Sequence, residues 1–341
     1  MIRISDIYKN PEDRDKQKSV INGDFPAEKP VPKKRVMELD PEEVYNDALL
    51  LAKEKIDTVK SANHIRVDEK DLRVIGNLLK CVKNNRKGLL KFFYENTPAN
   101  YLYAHSVNVC ILSLVLAHRM VYNQDQLIEL SLASFFHDMG MAHYFDIVNV
   151  ERRLTPYEKK EVEEHTLRSR DINAGIEGLD NRLKNEMAEI SYQHHERENG
   201  KGYPDGIDDE EINNFSRIVI ISDIYEALTH NRQWRDAYNF ASAVDIILGY
   251  KGNLLSRQMV KLLVDELSLF PVGCEVQLND GRIAKVIEIR EKCPTRPLVK
   301  VIKESDGKKA KEELIDLSTQ KLVAVEDIIH CNEGDFYEKI S

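Results

Sequence analysis

The chain has no apolar run long enough to cross a bilayer. A spanning helix needs about 20 consecutive apolar residues. The best run, "VNVCILSLVLA" at Val107–Ala117, is much shorter and reads as a buried helix. The opening "MIRISDIYKN" lacks the apolar core of a secretory signal. Cysteine is sparse: Cys81, Cys110, Cys274, Cys293 and Cys331 are scattered without C-x-x-C spacing. Neither a zinc knuckle nor a disulfide framework is expected, and a reducing cytoplasm fits best. Positive charge is not in excess. Forty-nine Lys and Arg against 58 Asp and Glu leave a net charge of -9, with a pI near 5.7. That argues against broad binding to nucleic acid polymers or to anionic membrane, and leaves room for a local basic pocket. No repeat of solenoid period and no low-complexity tract is present.

What is present is mostly helical pattern. At 341 residues, with 42% hydrophobic and 31% charged residues, the chain favours more than one structural unit. Residues 1–40, including "PAEKPVPKK", read as an irregular arm. Residues 41–95 read as an N-terminal helical segment. Asp40 is placed to cap its first helix, and Pro41 suits the first helical position. Helical spacing continues to about residue 270, through "YLYAHSVNVCILSLVLAHRM", "DQLIELSLASFFHDMGM", "TPYEKKEVEEHTLRSRDIN", "LKNEMAEISYQHHERE" and "FSRIVIISDIYEALTHN". Thr155 with Glu158 makes a capping-box signature. Beyond "FPVG" at Phe270–Gly273 the pattern alternates around Asn-Asp-Gly, a hairpin signal. Residues 271–341 therefore read as a small β unit of about four strands. The expected fold class is mainly α, an all-helical core with a small C-terminal β unit.

Several polar residues interrupt these apolar stretches. His105 lies within "YLYAHSVNV", His137 and Asp138 follow "SLASFF", and Asp223 sits inside "RIVIISDIYEAL". A buried carboxylate without partners costs several kcal/mol or loses its charge; a cation removes that cost. A tandem His-Asp at a helix end, followed by Gly140, wraps two side chains around one cavity edge. His194–His195 at the end of another helix does the same. Taken singly, His105 reads as a satisfied core histidine, His165 as a solvated surface residue and Asp223 as a capped or paired acid. The ordered set His105, His137, Asp138, His165, His194, His195 and Asp223, on successive helices, reads as a metal site. His64, His118, His143, His230 and His330 read as structural or surface residues, with His143 and His230 near the site.

These residues resemble the HD-GYP branch of the HD-domain metal-dependent phosphohydrolases. The likeness runs from about Tyr101 to Leu269, through "AHSVNV", "FFHDMGM", "EEHTLRS", "HHERENGKGYPDGI" and "ISDIYEALTHNRQWRDA". It implies a helical core and a phosphodiesterase that opens cyclic di-GMP to linear pGpG, and in some members on to GMP. It implies a binuclear centre of Fe or Mn. One ion would take His105, His137, Asp138 and Asp223, the other His165, His194, His195 and Asp138, with a bridging hydroxide as nucleophile. Asp138 is then the catalytic residue that both ions share. Arg232 and Arg235 match a cationic segment suited to substrate phosphates. The glycine-rich loop with Gly202, Tyr203 and Pro204 would shape the site edge and contact a diguanylate cyclase domain; a homodimer is plausible.

Three positions depart from that pattern. Met141 replaces a lysine of the family, which raises the reading of a slow or inactive cyclic di-GMP receptor beside that of a hydrolase of another cyclic dinucleotide or nucleotide. Tyr101 replaces a glutamate found in three-metal members, so a third ion is not expected. Trp234 stands in the cationic segment, where it can stack on a guanine or fill the core; the core reading is favoured.

Overall fold

A computed structural model of the chain describes residues 39–94, 101–238, 240–250, 254–267, 274–290, 296–320 and 322–330. The expected N-terminal arm, His330 apart from its backbone, Cys293 and Cys331 lie outside what is described.

The structure is mainly helical with one small antiparallel sheet. The first helix, α1 (Pro41–Ala62), opens as its sequence dictates: the Asp40 side chain accepts from the Glu42 N–H, and Pro41 occupies the first turn. α2 (Glu69–Leu90) opens on a capping box between Asp68 and Asp71. Next comes α3 (Tyr101–Ala117), apolar nearly all round and buried along almost its whole length, as such a helix must be. It packs between α4 (Gln124–Phe136) and α9 (Asn214–Thr229), with α1 and α2 on another side.

α4 ends at Phe136. A short 3₁₀ segment, Met139–Tyr144, and α5 (Phe145–Val148) follow. The helix expected through "TPYEKKEVEEHTLRSRDIN" is two helices, α6 (Pro156–Glu163) and α7 (His165–Ala174), broken at Glu164. The Thr155–Glu158 capping box forms as expected. α8 (Asn181–Gln193) packs on α7 and α4, and α10 (Phe240–Tyr250) and α11 (Arg257–Leu267) complete the helical part. One continuous apolar core runs from Val44 on α1 to Leu263 on α11.

The C-terminal sheet holds β1 (Glu275–Leu278), β2 (Ile283–Glu288), β3 (Leu298–Lys303), β4 (Lys309–Asp316) and β5 (Val325–His330), in the order β4-β3-β2-β1-β5, all antiparallel. About four strands were expected; the fifth, β5, closes the sheet on β1. Asn279–Gly281 makes the β1–β2 turn, with Gly281 at φ 85°. Its own small core gathers Val276, Leu278, Ala284, Val286, Val299 and Val301. Cys274, at the entrance to β1, is disulfide-bonded, although the scattered cysteines signal no disulfide framework. Cys81 and Cys110 are free and buried. No helix of the described residues is long and apolar enough to cross a membrane.

Candidate metal centre

Helix ends bring the candidate residues together. His137 caps the C-terminus of α4 and Asp138 follows it; His194 caps the C-terminus of α8, with His195 next in line. Each helix thus turns its partly negative end toward the cluster, where a cation is favoured. His165 opens α7. His105 and Asp223 project from the interiors of α3 and α9. Asn173 ties the ends together, donating to the Phe136 carbonyl at 3.0 Å and to Ser191 Oγ at 2.5 Å. Gly140 lets the 3₁₀ segment lie flush on α7: a Cβ there would stand 2.3 Å from the His165 carbonyl oxygen.

All seven expected residues converge. Except for His195, which is partly exposed, each is buried, including His165, whose lone reading as a solvated residue does not hold. The potential ligand atoms of His105, His137 and Asp138 lie within 4.8 Å of one another, and so do those of His165, His194 and His195. Asp138, itself a member of the first group, and Asp223 each face histidines of both groups. Asp138 Oδ1 is 3.4 Å from His165 Nε2 and 3.9 Å from His194 Nε2, while its Oδ2 is 3.8 Å from His105 Nε2. Asp223 presents Oδ1 to His105 Nε2 at 3.3 Å and Oδ2 to His195 Nδ1 at 4.0 Å.

The donor set fits divalent ions on the structure's own terms. His137, His165 and His194 each direct Nδ1 at a carbonyl oxygen three residues back, on Ser134, Val162 and Ser191, at 2.8, 2.6 and 2.7 Å. An imidazole that donates through Nδ1 keeps a lone pair on Nε2. Two such lone pairs, on His165 and His194, then face each other at 3.2 Å. His137 Nε2 and Asp138 Oδ1 are buried with no hydrogen-bond partner. Buried acceptors facing one another without donors call for a positive charge among them.

In the metal-free protein, electrostatics keep four of the five imidazoles neutral, and His105 is the exception. Burial and the neighbouring His105 charge hold His137 down at about 3, and burial holds His165 at about 4. Burial and their neighbouring imidazoles push His194 and His195 well below the usual range. Burial drives the Asp138 carboxyl well above its usual range. Asp223 goes down instead: its burial is outweighed by the hydrogen bond and charge of His105. His105 is raised well above normal despite burial, through Glu226 and Asp223.

The rim holds the cationic and glycine-rich segments. The Arg232 guanidinium lies 3.6 Å above the Tyr101 ring and 3.5 Å from Glu226 Oε2, and Tyr101 in turn packs on His105. Arg235 donates to the Ala227 and Leu228 carbonyls at the end of α9. Trp234 is 41% exposed, so the favoured reading of it as core filling does not hold. Met141 is buried. In the glycine-rich loop, Gly202 lies against the backbone of Glu196 and Arg197 with no room for a Cβ, and Tyr203 is stacked on His195.

Two carboxylates went unread in the sequence. Glu196, fully buried, accepts the backbone N–H groups of Asp205, Gly206 and Ile207 at 2.8, 3.1 and 3.2 Å. It is the anchor of the loop. Glu226 meets His105 Nδ1 at 2.5 Å. A signal for Glu226 was available, since it falls one helical turn after Asp223 inside the same apolar stretch.

Residues 90–258 match the HD domain family model, and residues 275–335 match the KOW domain associated with HD domain. The chain is 28% identical over 299 residues to a cyclic di-GMP phosphodiesterase of Pseudomonas aeruginosa, covering 84% of this chain and 70% of that one. It is 26% identical over 247 residues to the cyclic di-GMP phosphodiesterase PdeB of Borreliella burgdorferi, covering 72% of this chain but only 62% of the relative. Among solved structures, an HDGYP protein of Bdellovibrio bacteriovorus superposes with a TM-score of 0.54 at 15% identity, over 68% of this chain and 74% of that one; this likeness speaks to fold alone. Residues 90–258 thus form an HD domain, and all seven residues of the candidate centre lie within it.

Proposed function

We propose that the chain is a metal-dependent phosphodiesterase of cyclic dinucleotides, with cyclic di-GMP as substrate and linear pGpG as first product. One observation carries this reading: the His105, His137 and Asp138 group meets the His165, His194 and His195 group at Asp138, which turns Oδ2 toward His105 and Oδ1 toward His165. The names of the Pseudomonas and Borreliella relatives support the substrate. His105, His137, Asp138 and Asp223 would hold one ion, and His165, His194, His195 and Asp138 the other. Imidazole and carboxylate together suit Fe or Mn. Bound there, the ions would supply Lewis acidity toward water and the phosphoryl oxygens.

The chain's own residues do the rest. Arg232, held against Tyr101 and Glu226, offers its remaining N–H groups to a phosphate beside His105. The stacked Tyr203 and the Glu196-anchored turn fix the rim next to His195. Hydrolysis consumes one water, breaks one P–O bond and returns a proton to the departing 3′-oxygen.

A second reading is a receptor that binds cyclic di-GMP and turns it over poorly, favoured by the apolar, buried Met141 in place of a cation. Metal-loaded protein incubated with a panel of cyclic dinucleotides separates the two. The phosphodiesterase reading expects linear product from cyclic di-GMP. Tight binding without product supports the receptor, and neither binding nor product contradicts both.

A further inference from the structure

Three of the imidazoles are oriented by their own backbone. His137, His165 and His194 find carbonyl oxygens three residues back, because last-turn carbonyls of a helix lack amide partners. His105 has no such recourse. It sits inside α3, where the helix itself consumes the carbonyls. Its Nδ1 meets a side chain instead, Glu226 Oε2 at 2.5 Å. Glu226 is 1% exposed and lies on α9 one turn after Asp223. The same helix thus supplies a candidate ligand and the group that orients its neighbour.

The carboxylate is held in turn. Asn108 Nδ2 donates to Glu226 Oε1 at 3.4 Å and to the Phe93 carbonyl at 3.2 Å. His230 Nδ1 lies 3.3 Å from Oε1, and Arg232 Nη2 lies 3.5 Å from Oε2. Asn108 Oδ1 accepts from the Tyr45 hydroxyl at 2.9 Å. Tyr45 belongs to α1, which precedes the residues matched by the HD model.

We propose that Glu226 is a positioning residue that accepts the Nδ1 proton of His105, fixing the imidazole with its Nε2 lone pair toward Asp138 and Asp223, and that Asn108 and Tyr45 hold Glu226 for that task. The inference rests on the metal-centre reading and adds to it: it makes one half of the centre, and only that half, depend on α9 and on a helix outside the HD domain. A carboxylate behind a ligating histidine fixes the tautomer and raises ligand basicity. Its loss typically costs about ten- to a hundredfold in metal affinity.

The test is Co²⁺ titration of the full metal-free chain under anaerobic conditions, read by visible absorption and by metal content. Glutamine keeps the shape of Glu226 but offers one acceptor oxygen where two are in use. Glu226→Gln is expected to weaken one of two sites by about tenfold or more and to change its spectrum, leaving the other site at the affinity of the unaltered chain. Tyr45→Phe, which keeps the ring, is expected to weaken the same site by about threefold, the worth of one hydrogen bond; it decides the matter if Glu226→Gln does not fold. Unchanged affinities at both sites in the folded variants, or equal weakening of both with unchanged spectra, would overturn the proposal while leaving the metal centre standing. Failure of the unaltered chain to bind Co²⁺ at all would overturn both.

Discussion

Tyr203 lies flat on His195: the ring centroids are 4.7 Å apart, the planes meet at 21°, and the Tyr203 N–H donates to the His195 carbonyl at 3.2 Å. The second histidine of the pair is thereby clamped by the turn that follows it. The two imidazoles before the Gly-Tyr-Pro turn are thus oriented from different sides. The first, His194, is oriented by the end of α8; the second lies past that end and takes its orientation from the loop.

Removing that ring therefore acts on one half of the centre. Tyr203→Ala is expected to weaken metal binding by the His165, His194 and His195 group by roughly three- to tenfold, the worth of one aromatic stack. Tyr203→Phe keeps the stack and should stay within about twofold. Metal competition titrations measure both. Equal affinities for the Ala variant and the unaltered chain would show that the stack orients nothing.

Glu196 bears on stability before it bears on chemistry. Its carboxylate serves three backbone N–H groups of the loop, and an unsatisfied buried donor costs about 1–3 kcal/mol. Glu196→Ala should lower urea stability by at least about 3 kcal/mol. A loss below about 1 kcal/mol would mean that the loop finds other acceptors.

Gly140 is required by a close approach rather than by its backbone angles. A methyl group there would meet the His165 carbonyl at 2.3 Å and the Ser169 amide nitrogen at 2.7 Å. Gly140→Ala must push the 3₁₀ segment away from α7 and so part Asp138 from His165. The expected cost is about 1–3 kcal/mol, with metal content falling below that of the unaltered chain. Full metal content would contradict the tight contact.

The buried histidines set a pH dependence for the metal-free protein. A histidine whose folded value lies below its unfolded value of about 6.5 takes up a proton on unfolding, so stability falls as pH drops through 6.5. His137, at about 3, and His165, at about 4, behave this way, and His194 and His195 shift in the same direction. Asp138 opposes them, since it keeps a proton that the unfolded chain releases above about 3.9. The raised His105 is protonated in both states below 6.5 and adds nothing there. Four groups against one give a net loss of stability from pH 6.5 down to about 4.5, on the order of 1.4 kcal/mol per pH unit for each uncompensated group. Urea midpoints at pH 6.5, 5.5 and 4.5 should fall in that order; a flat or rising series would contradict the burial of neutral imidazoles.

The metal-centre residues were legible because they break apolar patterns. Asp223 inside "RIVIISDIY" and His137–Asp138 after "SLASFF" are costly unless something compensates them. Glu226 obeys the same logic and was passed over, because one carboxylate in that stretch already had an explanation. The Tyr45–Asn108 contact could not be read at all, since it depends on how α1 crosses α3. The surroundings of Arg235 and Trp234 were illegible for a related reason. Their residue types fit phosphate contact and core filling, but the end of α9 leaves carbonyls for the arginine and solvent for the indole. In the sheet, alternation marked the hairpins, whereas β5 gains its place only by pairing with β1.

The shared position of Asp138 is the centre of the account, and metal content measured together with cyclic di-GMP hydrolysis for the unaltered chain and Asp138→Ala tests it most directly. The account predicts two equivalents of divalent metal and linear product for the unaltered chain, and for the variant a loss from both sites with turnover at background. Undiminished turnover in Asp138→Ala, or loss of a single ion with the other site unperturbed, would contradict it.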